Sequence, residues 1–143
     1  MDILDTRDLI KTREDLQNQI ISAFNEEFKT DFESFEDIDF NNSDDEYNEN
    51  RLEDFEYDWE TTIEHINEID SIENELGSEF TYGVTLINDA DFIEYVQELL
   101  EDCGYISKDF PTWIEIDWEA TAVNVEQDYT TVSYRGVDYL ARA

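Results

Sequence analysis

The sequence predicts an α+β protein, with a helical acidic N-terminal part followed by a small three-stranded antiparallel sheet with helices on one face, in the order β-α-α-β-β. Apolar residues recur at three- and four-residue steps through the first half, which is typical of amphipathic helices. β-Branched and aromatic residues cluster after Gly77, and two short alternating runs flank Arg135-Gly136, which is typical of strands and a hairpin. We therefore expect a helical acidic region over residues 1–77 and an α+β domain over residues 78–143.

The composition favours a folded chain despite an extreme charge. The 143 residues are 40% hydrophobic and 14% aromatic, with four Gly and one Pro, which is enough apolar material for a core. A net charge of −32 is more typical of disorder, but disordered chains carry few aromatic residues. We expect a folded protein whose acid lies on the surface.

In the N-terminal part, the spacing predicts an amphipathic helix from Leu4 to Phe28. Its basic residues Arg7, Lys11 and Arg13 either pair with the acidic segment that follows or lie on a solvated face, and because exposed ion pairs contribute little, we expect the solvated face. Thr30 and Glu33 have the spacing of a capping box, which predicts a short helix ending near Phe40. Residues 41–50 are rich in Asn and acid, which predicts a loop.

Helical spacing then continues from Leu52 to Leu76. Thr61 and Glu64 offer a second capping box, so this stretch is predicted to be one long helix or two helices meeting near Thr61 and Thr62. Gly77 is the expected stop.

The C-terminal part has clear local signals for each element. The run from Phe80 to Ile87 predicts a strand. Asn88 or Asp89 is the expected cap of the next helix, which should end just before Gly104, and Asp117 is the expected cap of a short helix. The two-residue turn at 135–136 predicts the closing hairpin.

Cysteine content and the N-terminal residues bear on the compartment. Cys103 is the single cysteine, so no intramolecular disulfide can form and a reducing environment is expected. The first residues lack the basic-then-apolar layout of a signal peptide, and no apolar run approaches the roughly 18 residues of a membrane span. We expect a soluble intracellular protein in a reducing cytoplasm.

The residue pattern offers little for catalysis. With forty carboxylates, pairs at catalytic spacing arise by chance, and the chain has a single histidine, His65, and no glycine-rich phosphate loop. Residues 37–48 resemble a calcium loop in placing oxygen side chains at alternate positions, but the sixth-position Gly and the twelfth-position Glu are missing. We predict no enzymatic activity, no cofactor and no specific metal site.

The acid is concentrated in the stretch from Thr30 to Glu79, which holds twenty Asp and Glu against one basic residue, Arg51, a net charge near −19. Such a surface repels nucleic acid and anionic membranes and attracts basic proteins. Base-stacking by Trp59, Trp113 and Trp118 is therefore not expected, and these side chains are predicted to be core residues or contacts with another copy.

The charge density of this stretch is close to that of DNA. Between Arg51 and Leu76 there are ten carboxylates, which in a helix is one per about 4 Å of axis, against about 3.4 Å per phosphate in one strand of B-DNA. The predicted DNA-mimic surface, which is the predicted partner-binding site, consists of Asp37, Asp39, Asp44, Asp45, Glu46, Glu49, Glu53, Asp54, Glu56, Asp58, Glu60, Glu64, Glu68, Asp70 and Glu73.

Two runs carry a resemblance to a known family. Phe92 to Gly104 (FIEYVQELLEDCG) and Trp113 to Ala120 (WIEIDWEA), followed by the hairpin, resemble the last domain of ArdA-type antirestriction proteins. There, a helix ending in Gly precedes an Ile-Asp-Tyr/Trp-x-Ala segment and terminal strands. The same half resembles small acidic proteins of cyanobacterial phages. After Ala120 the sequence departs from the family, and the N-terminal half reads as helical where that family begins with a strand-rich domain.

The resemblance implies a DNA mimic encoded by a phage or mobile element, which occupies the DNA groove of a bacterial DNA-handling enzyme such as a type I restriction-modification enzyme. It also implies a homodimer through residues 80–143. The alternative from charge alone is an acidic adaptor or chaperone that binds basic host proteins without imitating DNA.

Overall fold

The computed structural model describes residues 1–40, 49–107 and 109–142. Four strands and six α-helices are assigned within these residues, together with short 3₁₀ turns at Phe35–Asp37 and Asp89–Asp91. In chain order they are β1 (Ile3–Asp5), α1 (Thr6–Phe28), α2 (Glu49–Asp58), α3 (Glu60–Leu76), α4 (Glu79–Tyr82), β2 (Thr85–Asn88), α5 (Phe92–Asp102), α6 (Trp118–Glu126), β3 (Thr130–Tyr134) and β4 (Val137–Ala141).

The fold is α+β, as predicted, with an antiparallel sheet and helices on one side. The sheet has four strands in the order β1-β2-β4-β3, so the prediction of three strands was wrong by one. The additional strand is β1, in which Ile3 pairs with Ile87, and Leu4 therefore lies in a strand rather than in the first helix. Three residues are too few to show a strand period against the helical pattern that follows.

The chain divides into two compact units. The sheet unit comprises Met1–Asp8 and Ile72–Ala143, and the helical unit comprises Leu9–Ser71. Compared with the ranges 1–77 and 78–143, the sheet unit gains β1 and the last residues of α3.

One of the two predicted helix caps in the sheet unit is confirmed: the Asp117 carboxylate accepts a hydrogen bond from the Ala120 N–H (3.0 Å) at the start of α6. The other was wrong, because Asn88 accepts from the Ala90 N–H (2.9 Å) and so caps the 3₁₀ turn Asp89–Asp91, whereas the N-cap of α5 is Asp91, which makes no side-chain cap bond. Gly104 lies just past the end of α5 with a φ of 77°. The hairpin turn places Arg135 at φ 52° and Gly136 at φ 78°, the pair of left-handed residues that a type I′ turn requires.

The predicted strand from Phe80 to Ile87 was too long at its N-terminal end. Residues 79–82 form the short helix α4, and the strand begins at Thr85. Thr6 is fully buried here, where its hydroxyl donates to the Phe80 carbonyl (2.8 Å) and accepts from the Val84 N–H (2.8 Å). These two bonds satisfy backbone groups that helix and strand geometry leave unpaired, and thereby stabilise the turn.

The helical unit is built on an aromatic core. Phe24 of α1 is 1% exposed, and its ring centroid lies 4.5 Å from Phe28, 5.7 Å from Phe32, 6.0 Å from Phe40 and 5.2 Å from Phe55. The other buried residues of this core are Ile20, Ile38, Leu52 and Ile66.

The predicted helix after Thr30 is not formed. The Asn25 side chain accepts from the Thr30 hydroxyl (2.8 Å) and the Phe32 N–H (3.0 Å) and donates to the Phe32 carbonyl (2.9 Å). These bonds compete with a capping box for the same groups, so only the 3₁₀ turn Phe35–Asp37 follows.

The long acidic helix is interrupted at Trp59, between α2 and α3, rather than at Thr61 or Thr62. Its backbone hydrogen bonds continue across the break, from the Trp59 N–H to the Phe55 carbonyl (3.1 Å) and from the Ile63 N–H to the Trp59 carbonyl (2.9 Å). The predicted stop at Gly77 is confirmed, because Gly77 has a φ of 69° directly after α3.

We expect Tyr139 to govern part of the alkaline unfolding of the sheet unit. Burial, and then the hydrogen bond that its hydroxyl donates to the Asp2 carboxylate (2.9 Å), raise the pKa of Tyr139 to about 12. Because the unfolded value is about 10, its contribution is fully present below pH ~10 and is lost as pH rises towards 12, at up to about 1.4 kcal/mol per pH unit.

Urea unfolding of wild type and Tyr139→Phe at pH 9 to 12 tests this. The variant should lose stability less steeply over that range, whereas Tyr105→Phe, at a position that is 79% exposed, should follow wild type. Parallel curves for Tyr139→Phe and wild type would contradict the assignment.

Candidate acidic interaction surface

Exposed carboxylates are concentrated on α2 and the first half of α3. Both segments belong to the helical unit, whose core buries Leu52, Phe55 and Ile66 on their inner side. We call the outward-facing residues of these segments the acidic helix surface; its exposed carboxylates are Glu53, Glu56, Glu60 and Glu64 and, on a second flank that also lines a cavity with Arg51, Asp54 and Asp58.

Four of these residues form a ladder. Glu53, Glu56, Glu60 and Glu64 follow one another at steps of three, four and four residues, so they share one side of the helix. Like charges at this spacing destabilise a helix by about 0.2–0.5 kcal/mol per pair. The ladder is therefore maintained by packing of the inner side, at a cost in local stability.

An aromatic side chain interrupts the acid. Tyr57 is 76% exposed and, with Glu53, Glu56 and Glu60, lines a shallow cavity of about 240 Å³. Exposed Tyr is common where proteins bind other proteins, because it adds contact area at a small entropic cost. Sequence reasoning missed Tyr57, although its position two residues after the buried Phe55 predicts the outer side.

The remaining predicted residues before the helices are only partly described. Asp37 and Asp39 are exposed at and just after the 3₁₀ turn of the helical unit. Asp44, Asp45 and Glu46, with most of the calcium-loop pattern, lie outside the described residues. Glu49 begins α2.

The far end of the predicted surface is less available than the sequence indicated. Asp70 accepts a hydrogen bond from Arg13 at 2.7 Å, and the Arg13 side chain is 17% exposed, so the expectation that Arg13 lies on a solvated face was wrong. Glu68 is half-buried, and Glu73 is half-buried and belongs to the sheet unit. The acidic helix surface therefore ends near Glu64.

Arg51, the one basic residue within the acidic stretch, is held against α1. Its guanidinium donates to the Glu27 carbonyl (2.8 Å) and carboxylate (3.0 Å), and lies 4.8 Å from the centroid of the Phe28 ring. The carbonyl contact satisfies an acceptor in the last turn of α1. Arg51 thus stabilises the helical unit and does not neutralise the Glu ladder.

No protein-family model, curated protein or solved structure matches this chain. The resemblance of residues 80–143 to ArdA-type proteins therefore rests on the residues quoted above, and the family expectation stays a prediction.

The described residues also bear on metal binding, membrane insertion and the predicted role of Trp113. Within residues 1–40, 49–107 and 109–142, no three His, Cys, Asp or Glu side chains are grouped so as to hold a metal ion. Among the described helices, none has both the length and the apolar content of a membrane span. Trp113 is 81% exposed, so the expectation of a core role was wrong for it, and contact with another copy stays a prediction.

Proposed function

We propose that this protein is an acidic DNA mimic, encoded by a phage or mobile element, which inhibits a bacterial DNA-handling enzyme by occupying its DNA-binding groove. A type I restriction-modification enzyme is the first candidate. The observation that supports this most directly is the set of six exposed carboxylates on α2 and α3, four of them in the Glu ladder. The helices that carry them pack on a buried core.

The spacing of these carboxylates suits a phosphate-binding groove. From Glu53 to Glu64 the helix rises about 16 Å, at 1.5 Å per residue. The four carboxylates of the Glu ladder, which share one side, recur about every 5–6 Å. Counted around the whole helix, six carboxylates over that rise correspond to one per about 3 Å, close to the 3.4 Å of axis per phosphate in one DNA strand. A groove that presents lysine and arginine to DNA at that interval meets a similar density of acceptors here.

Rigidity supports inhibition rather than a loose ionic association. The carboxylates are attached to folded helices, so a partner does not have to order a flexible acidic chain in order to bind. The net charge of −32 also accelerates encounter with a cationic groove, an effect that salt weakens.

Competition with DNA tests the proposal. A labelled duplex carrying the recognition sequence is bound to a purified type I restriction-modification enzyme, and the full chain is titrated in at 50 to 200 mM salt. We expect displacement of the duplex, with an affinity for the chain that falls steeply as salt increases. Poly-glutamate at equal carboxylate concentration is the control and should displace far less.

A duplex that remains bound at saturating protein would contradict inhibition of that enzyme class. If the chain binds the enzyme but duplex DNA does not displace it, the adaptor function is the better description.

A further inference from the structure

A second feature of the helical unit lies outside the Glu ladder. It is a broad, shallow groove of about 680 Å³ between α1 and the point where α2 gives way to α3. The α1 residues that line it recur at helical steps over three turns, and Trp59 supplies the other side. The lining residues are Asp15, Asn18, Gln19, Ser22, Ala23, Glu26 and Trp59.

The shape of this Trp59 groove follows from residue size. Ser22 and Ala23 are small and lie midway along the α1 stripe, between longer side chains at either end. Trp59 is half-buried, with its ring centroid 6.0 Å from the core residue Phe55. The core contact holds the indole in place while the rest of the side chain faces the groove.

The charge of the groove is one-signed. Asp15 and Glu26 are both exposed and lie eleven residues apart on α1, about 16 Å along its axis. Neither lysine nor arginine is among the residues that line it. An aromatic wall between two carboxylates suits a cationic side chain with an apolar stem.

Arg51 of this chain already lies in a similar environment next to the groove. A smaller cavity of about 260 Å³ shares Ala23 and Trp59 with the groove and includes Arg51 among its lining residues. There the guanidinium lies against an aromatic ring and bonds a carboxylate, as described for Phe28 and Glu27. The Trp59 groove also combines an aromatic ring with carboxylates, but no lysine or arginine is among its lining residues.

We propose that the Trp59 groove binds a basic segment of a protein partner, with an Arg or Lys side chain against the Trp59 indole and cationic groups reaching Asp15 and Glu26. The inference rests on the proposed function for the basic character of the partner. It adds a contact, between the Trp59 indole and a cationic side chain, that DNA itself would not make with the partner. On one face of an extended segment, side chains recur every two residues, about 6.6 Å. Cations at the first, third and fifth positions therefore span about 13 Å and reach Glu26, the indole and Asp15 through their flexible stems.

Synthetic peptides test the spacing. In the full chain carrying Trp113→Phe and Trp118→Phe, Trp59 is the single remaining tryptophan of three, so its emission reports on the groove. We expect the peptide RLRLR, whose three arginines share one face, to shift this emission and to bind at least tenfold more tightly than LRRRL, which has the same composition and charge. Equal affinity for both peptides would overturn the proposal, because charge alone then explains binding.

A charge-neutral variant tests the location. Ser22→Phe fills the groove at an exposed position and should weaken RLRLR binding at least tenfold, with an unchanged circular dichroism spectrum. The matched control is Thr61→Phe, which is exposed on α3 outside the groove lining and should bind like the parent. Unchanged binding by Ser22→Phe would remove the groove as the site.

Failure of the two proposals can be told apart. Loss of RLRLR binding in Ser22→Phe, in a protein that never displaces duplex DNA, would retain the groove and reject DNA mimicry. If Ser22→Phe still displaces duplex DNA and the two peptides bind with equal affinity, the results would retain DNA mimicry and reject the groove.

Discussion

Replacement of Glu53, Glu56, Glu60 and Glu64 by lysine is expected to abolish displacement of duplex DNA, with at least a 100-fold loss of affinity for the enzyme. The four changes alter the net charge by +8, from −32 to −24, and place cations where the groove presents cations. Losing this many ion contacts should also flatten the dependence of the remaining binding on salt. The measurement is the competition titration at several salt concentrations.

The fold should survive this change. All four positions are exposed, so no buried contact is lost. The net charge becomes less negative, so the overall repulsion within the chain falls. Urea unfolding should therefore show a free energy of unfolding equal to or above that of wild type.

A matched control has the same change in charge at another helical ladder. Glu94, Glu98, Glu101 and Asp102 are all exposed on α5 of the sheet unit. Their replacement by lysine should retain most of the displacement activity, apart from a general loss of steering. Retained inhibition in the α2–α3 variant, or an equal loss in both variants, would contradict a specific acidic helix surface.

The substitution Phe24→Ala is expected to lower the free energy of unfolding of the helical unit by about 3–5 kcal/mol. Phe24 is almost fully buried and contacts four other aromatic rings, so its removal leaves a cavity that several large side chains line. Rings of this size cannot close the space without leaving their preferred rotamers.

Trp59 emission, in the background that lacks the other two tryptophans, reports on the unit that contains Phe24. Chemical unfolding followed at this signal gives the loss. Tyr57→Ala removes an aromatic side chain of similar size that is 76% exposed, and should change stability by no more than about 0.5 kcal/mol. A loss below about 1 kcal/mol for Phe24→Ala would mean that the aromatic core is not required for stability.

The elements that sequence reasoning located well are those with local causes. The cap at Asp117, the stop at Gly77 and the turn at Arg135-Gly136 each depend on residues within four positions of one another. Their side-chain and backbone preferences act whatever the rest of the chain does. The α2 spacing likewise predicted that Leu52 and Phe55 lie on the inner side, where the structure buries them.

The errors have long-range causes. β1 exists because Ile3 pairs with Ile87, and its three residues form no strand signal by themselves. Asp70 left the candidate surface because Arg13, 57 residues earlier, reaches it. The helix expected after Thr30 does not form, because the Asn25 side chain accepts hydrogen bonds from Thr30 and Phe32. The capping pattern does not include Asn25.

By itself, the sequence determined the α+β class, the net charge of −32 and the face of α2 that carries the Glu ladder, because composition and periodicity depend only on residue types and on residues near one another in the chain. The tertiary structure decided the fourth strand, the loss of Asp70 from the acidic surface, and the groove in which Trp59 faces α1. Each of these depends on contacts between residues distant in the chain, whose free energy is realised only when the units fold.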